Sequence, residues 1–138
     1  MIPTRFLDTN VLIYSFSPNP LERDKRDRAE ALLREDDWAL SVQVLQEFYV
    51  QITRPTRPGH LDHEAALRFV TAWQRFFVQD MTVAVLNNAL IIKGEHHLSY
   101  WDSAIVAAAR ACGCDEIYSE DMSHGQRIAG VRIVNPFR

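Results

Sequence analysis

Apolar residues along this chain fall into short continuous runs, and between them lie longer stretches with helical period. Phe6-Leu7 is one such run, ending at Asp8-Thr9-Asn10; it predicts a buried strand over 5–7 with Asp8 as the first residue beyond it. Val11, Leu12, Ile13, Tyr14 and Phe16 continue the apolar pattern as a short helix. Asn19-Pro20-Leu21-Glu22 has the order of a helix start, with Asn as cap, Pro at the first helical position and Glu reaching back. That helix is expected to run to about Asp36, with Leu21, Ala29, Leu32 and Leu33 as a narrow apolar stripe. Its other side, from Arg23 through Lys25 and Arg28 to Glu35, is a mixed-sign run with the character of a solvated face.

Residues 38–40 predict a second strand, and Ser41 caps a helix over 42–53 that turns Val44, Leu45, Phe48 and Ile52 inward. Arg54-Pro55 ends it, because the residue before proline disfavours the helical region. After a loop over 54–60, Asp62 caps a helix in which Ala66, Phe69, Val70, Trp73, Phe76 and Phe77 keep the helical period. Met81-Thr82-Val83 reads as a short strand or an entry to the helix through Val85, Ala89 and Ile92, whose end Gly94 weakens. Ser99 caps a helix over 100–112 with Trp101, Ile105, Ala108 and Cys112 on one face and Gly113 as its stop. Residues 116–118 predict a strand leading to Ser119-Glu120-Asp121, and residues 131–134 a final one. Strands alternating with helices predict an α/β fold on a parallel sheet, whose ligands bind beyond the carboxyl ends of the strands.

Composition narrows the function. With 138 residues, 47% hydrophobic and 24% charged, the chain fits one domain over 1–138 and excludes a disordered or rod-like protein. A net charge of −3 argues against a strongly basic DNA-binding module, but not against an enzyme acting on nucleic acid with a cation's help. The first residues lack the basic and apolar regions of a signal peptide, and no apolar run approaches the ~20 residues of a membrane span. A cytoplasmic protein without membrane contact is therefore expected. Cys112 and Cys114, spaced C-x-C, read as two reduced thiols. The glycine-rich signatures of nucleotide-binding loops do not occur. His60 and His63 lack the further ligands of a zinc site. Trp38, Trp73 and Trp101 fall on apolar faces and are expected in the core, while Arg54 and Arg57 are candidates for contact with an RNA backbone.

The informative residues are four acids. Asp8 follows the first strand, Glu47 flanks the apolar stripe of its helix, Asp102 lies in the first turn after Ser99, and Asp121 follows the strand at Ile117. Singly, each has an ordinary reading: a helix cap, a snorkelling side chain, a capping-box partner and a loop acid. Jointly they converge on one side of a parallel sheet, where four carboxylates repel one another unless a cation neutralises them. Oxygen-only ligands favour Mg²⁺ or Mn²⁺ over zinc, and such ions activate water against a phosphodiester. A phosphoacceptor receiver domain also binds Mg²⁺, but it needs paired acids after the first strand and a late lysine. Here one acid stands after that strand and the last lysine is Lys93.

Four segments carry a resemblance: Phe6-Leu7-Asp8-Thr9-Asn10, residues 41–48, Leu98-Ser99-Tyr100-Trp101-Asp102-Ser103 and Tyr118-Ser119-Glu120-Asp121-Met122. In this order they resemble the acidic motifs of PIN-domain ribonucleases, and the chain, including its tail from His124 to Phe137, resembles the VapC toxins of VapBC toxin–antitoxin pairs. The resemblance implies a three-layer α/β/α fold with a central parallel sheet of four to five strands. It implies that Asp8, Glu47, Asp102 and Asp121 bind Mg²⁺ or Mn²⁺ for endoribonuclease cleavage. Asn10 and Ser119 would support the site, and Glu120 could share the role of Asp121, with Asp121 preferred. It further implies an RNA substrate, a homodimer, and a VapB-type antitoxin through which alone operator DNA is reached. An RNA-processing nuclease without antitoxin, and an RNA-binding module that has lost activity, are the alternatives within the same family.

Overall fold

In the computed structural model, which describes residues 3–138, the short apolar runs become strands buried within one sheet. Strands β1 (Arg5–Leu7), β2 (Trp38–Ser41), β3 (Phe77–Gln79), β4 (Glu116–Tyr118), β5 (Arg127–Ile128) and β6 (Val131–Val134) lie in the order β3-β2-β1-β4-β6-β5. All neighbouring pairs are parallel except β5 with β6. Six helices connect them: α1 (Thr9–Tyr14), α2 (Arg23–Leu33), α3 (Val42–Ile52), α4 (His63–Ala72), α5 (Val83–His96) and α6 (Tyr100–Ala111). None of the described helices is long and apolar enough to cross a membrane.

Topology fixes where a ligand would sit. From β1 the chain steps outward to β2 and then β3, but from β3 it returns across β1 to reach β4. Parallel crossovers are right-handed, so this reversal sends α1 to α4 to one face and α5 and α6 to the other, giving three layers. The reversal lies between β1 and β4. In open α/β sheets that point, at the carboxyl edge, is where a ligand binds.

The core is continuous across the sheet. Phe6, Leu40, Phe48, Ile105, Ile117 and Ile133 are all essentially without solvent exposure. Every residue from Ser103 to Ala109 in α6 is buried, and four of those seven are alanines, so this helix lies close against its neighbours. Phe16, Phe48 and Trp73 pack as a tilted and edge-on aromatic group where α3 meets the segment after α4. Helix starts follow their caps: Ser41, Asp62, Thr82 and Ser99 each accept the backbone N–H three residues on, at 2.8–3.3 Å.

Several expectations need correction. The sheet has six strands among the described residues, not four to five. The additions are the edge strands β3 and β5. Phe76 and Phe77 continue the helical spacing, but the backbone passes through one 3-10 turn (Trp73–Arg75) and becomes extended at Phe76, so that Phe77–Gln79 pairs with β2. Of the two readings of residues 81–83, the helix entry holds and the strand does not, because Thr82 caps α5. That helix runs through Gly94 and stops where His97 turns left-handed, at φ 55°. Helix α2 starts after a 3-10 turn over Pro20–Glu22 and ends at Leu33. Glu22 does not reach back to a helix N–H; it accepts from the Ser17 hydroxyl at 2.6 Å. Leu21 is 94% exposed and Trp101 62% exposed, so neither belongs to the core.

Burial therefore ranks the apolar positions. Phe48→Ala should lower unfolding stability by about 3–5 kcal/mol in denaturant titration, while Leu21→Ala should stay within about 0.5 kcal/mol of the parent.

Candidate active site

Asp8 stands where the chain leaves β1 beside β4. Its backbone N–H donates to the Tyr118 carbonyl at 3.0 Å, and its side chain opens α1. The carboxylate is nearly sealed, at 5% exposure. Oδ1 accepts the Thr9 N–H at 2.7 Å, and Oδ2 accepts the Ser119 hydroxyl at 2.8 Å. Ser119 Oγ in turn accepts the Asp121 N–H at 3.1 Å, which bends the chain after β4 back toward β1. Asn10 ties the two strand ends together. Its Nδ2 donates to Asp121 Oδ2 at 3.1 Å and approaches Ser119 Oγ at 3.3 Å and Asp8 Oδ2 at 3.4 Å. Its Oδ1 accepts the Glu120 N–H at 3.3 Å.

The other two acids approach from the helices. Asp102 lies in the first turn of α6, whose start Ser99 fixes. Glu47 projects from α3, and its Oε1 accepts the Thr9 hydroxyl at 2.8 Å. Asp8, Glu47, Asp102 and Asp121 all line one cleft of about 840 Å³ at the carboxyl edge of the sheet. Of the lining residues, Arg57 is the basic one, and its Nε is held by the Gln51 carbonyl at 3.0 Å. Arg54 lies in an adjoining groove.

Electrostatics mark the aspartates as mutual neighbours. Burial pushes the Asp8 carboxyl from the ordinary 3.8 up to about 7. Hydrogen bonds from Ser119 and Thr9 oppose the rise, and the charges of Asp121 and Asp102 add to it. Burial and then the charge of Asp121 raise Asp102 as well, with Ser99 working against them.

Glu120 behaves differently. Lys25 Nζ donates to its Oε2 at 2.6 Å, and the Tyr14 hydroxyl donates to its Oε1 at 2.5 Å. Burial works against its charge, but the bonds from Lys25 and Tyr14 outweigh it and hold the carboxyl below its usual range. Asp121, not Glu120, is therefore the acid that faces Asp8 and Asp102. The structure thus joins Asp8, Asn10, Ser119 and Asp121 in one hydrogen-bonded group, sets Glu47 and Asp102 on the walls around it, and ties Glu120 to α2. Sequence reasoning missed Thr9, which joins Asp8 to Glu47, although it sits inside the Asp8-Thr9-Asn10 motif. It also missed Lys25, which has the look of a solvated charge.

A parallel α/β sheet with an acidic cleft at its point of strand reversal is the architecture these residues define. The sequence model for the PIN domain matches residues 5–127, and the chain belongs to that family. No curated protein matches the chain in sequence. Solved structures do match its fold. A toxin–antitoxin complex from Klebsiella pneumoniae superposes with a TM-score of 0.69 at 21% identity, covering 96% of this chain and 97% of that one. DNA-bound VapBC from Salmonella typhimurium gives 0.65 at 21% identity over 95% and 96%. The sarcin–ricin loop cleaving toxin VapC20 of Mycobacterium tuberculosis gives 0.64 at 20% identity over 93% and 98%.

The raised Asp8 has a measurable consequence. Between its ordinary value of 3.8 and about 7, the folded state keeps a proton that the unfolded chain releases. Stability in chelator should therefore fall as pH rises through that window and level off above it. Asp8→Asn should remove this part of the slope in melting curves recorded across the same pH range.

Proposed function

We propose that the chain is the toxin of a type II toxin–antitoxin pair and acts as a Mg²⁺-dependent endoribonuclease, with Mn²⁺ able to substitute. The observation that carries this reading is the facing of Asp8, Asp102 and Asp121, with Glu47 beside them, in the cleft of a PIN-domain sheet.

The donor chemistry suits the cation. Among the described residues, no three acidic, histidine or cysteine side chains stand together so as to hold a metal ion between them. Mg²⁺ does not need such a group, because it usually keeps several waters and uses one or two carboxylates at a time. Every candidate ligand is an oxygen, which disfavours zinc. A nearly sealed Asp8 beside two like charges is also a site that gains from a positive neighbour. Asp8, Glu47, Asp102 and Asp121 would hold the ion, which when bound activates water and neutralises charge developing on a phosphodiester.

The chain's own residues supply the rest. Thr9, Asn10 and Ser119 lock the carboxylates at the strand ends in place before substrate arrives. Arg57, restrained by Gln51, is the basic residue of the cleft and offers a planar cation to an RNA phosphate. Lys25 pairs with the ionised Glu120 and offsets its charge, and Tyr14 holds the same carboxylate.

The likeness to toxin–antitoxin complexes, one of them bound to DNA, supports a VapB-type antitoxin as partner, with operator DNA reached through it. An antitoxin arginine or lysine placed among the carboxylates would replace the cation and close the cleft. A homodimer agrees with Val83, Leu86, Leu90 and Ile91, which leave an apolar stripe exposed on α5.

Four outcomes test the reading. RNA cleavage should require divalent cation and leave 5′-phosphate and 3′-hydroxyl ends; a 2′,3′-cyclic phosphate would mark attack by the RNA's own 2′-hydroxyl and overturn it. Asp8→Asn should abolish cleavage while leaving the protein folded, since Asn caps a helix about as well as Asp. Mg²⁺ at a hundredfold excess over its dissociation constant should stabilise the parent by roughly 2.7 kcal/mol, and the variant by less. Intact antitoxin should suppress cleavage, and a complex that retains full activity would refute occlusion of the cleft.

A further inference from the structure

We propose that Trp101 is a base-stacking residue: the groove beside its indole receives an unpaired nucleobase of single-stranded RNA next to the bond being cut. The proposal deepens the ribonuclease reading and rests on it.

Trp101 is the outlier among the three tryptophans. Trp38 and Trp73 are 1% and 5% exposed, whereas Trp101 is 62% exposed. An indole left this open forgoes the largest apolar burial any side chain offers, so its position calls for a reason. It is also held ready. The ring packs edge-on against Tyr100, with centroids 5.0 Å apart and planes at 77°. The Trp101 carbonyl accepts the Gln43 Nε2 amide at 3.2 Å, which pins the start of α6 to α3.

Its location is specific. Trp101 precedes Asp102 directly and lines the acidic cleft. It also lines a shallower groove of about 320 Å³ shared with Gln43, Gln46, Val50, Gln51 and Arg54, and Glu47 borders both spaces. The two therefore adjoin at Trp101, Glu47 and Gln51. The groove has the parts a nucleotide needs: a π-face for the base, amides for its edge, an exposed valine for its apolar surface and a guanidinium for a phosphate. Gln43 backs the indole from α3. It is only 4% exposed, its amide nitrogen is spent on Trp101, and its Oε1 has no hydrogen-bond partner among the described residues.

A base inside a duplex is already stacked on its neighbours and cannot present its face to an indole. The groove therefore selects unpaired RNA, and the substrate's single-stranded loops over its stems.

The test uses the full chain carrying Asp8→Asn, in Mg²⁺, titrated with a short unstructured RNA oligonucleotide and with an RNA duplex of the same length. The single strand should quench the exposed tryptophan emission saturably, and the duplex should not. Adding Trp101→Ala should remove the quenching and weaken binding, read by anisotropy, by roughly 5- to 100-fold, the loss of one stacked base. Adding Trp101→Phe should restore most of the affinity. With Asp8 intact, Trp101→Ala should raise KM far more than it lowers kcat, and Trp101→Phe should recover KM; a merely structural role would instead lower kcat and melting temperature. RNA cleavage that proceeds with neither quenching nor a KM effect would overturn the stacking site and leave the ribonuclease reading standing. Quenching by RNA in a protein that never cleaves it would do the reverse. Equal quenching by duplex, or a Trp101 response to antitoxin but never to RNA, would assign the indole to another surface and overturn the proposal.

Discussion

The constraint on which the rest of the carboxyl edge depends is a carboxylate buried beside others of the same charge. Asp8 is sealed from solvent, and two further aspartates raise the energy of its charge. A carboxyl so placed gives up its charge more readily than a free one, and would swing outward unless its position were over-determined. Here a backbone amide, a hydroxyl and an asparagine side chain surround it. The hydroxyl is spent three ways, since Ser119 Oγ donates to Asp8 and accepts from Asp121 and, more weakly, from Asn10. One serine thereby sets the distance between two strand ends and the direction of the turn that follows β4.

Burial of α6 makes the second half of this arrangement possible. Its Ala104, Ala107, Ala108 and Ala109 have almost no exposure, so the helix is packed at its middle and its first turn is carried rigidly to the sheet's edge. Asp102 is consequently aimed by a helix rather than by a loop. Glu47 is aimed in the same way by α3, whose inner face is the buried row Val44, Phe48 and Ile52. Two acids thus come from strand ends and two from helices, and each pair is fixed by a different part of the core.

Much of this was legible in the chain. Asp62, Ser41 and Ser99 cap their helices because small polar acceptors precede apolar periodic runs, and β1 and β4 sit where those runs are short and flanked by acids. What escaped was decided by the sheet's edges and by three-dimensional pairing. Phe76 and Phe77 fit a helical period equally well, and only the free edge of β2 makes the backbone extend there. β5 is two residues long, too short for any periodicity. The choice between Glu120 and Asp121 turned on Lys25, 95 positions away from Glu120, and nothing local to the adjacent acids reveals it. Trp101 has the spacing of a core residue, yet the first turn of α6 projects past the sheet and leaves its ring outside.

The group around Ser119 also has a bearing on synthesis. Its hydrogen bonds join residues 109 to 111 positions apart, across the β1–β4 pair. A chain emerging from the ribosome can form α1, β2 and α3 long before Ser119 and Asp121 exist. Until the residues after β4 have emerged, Asp8 lacks both the hydroxyl that holds it and Asp121, one of the acids that face it. Any translation product that stops short of that strand carries no assembled site, so assembly of the acidic centre reports that synthesis has passed β4.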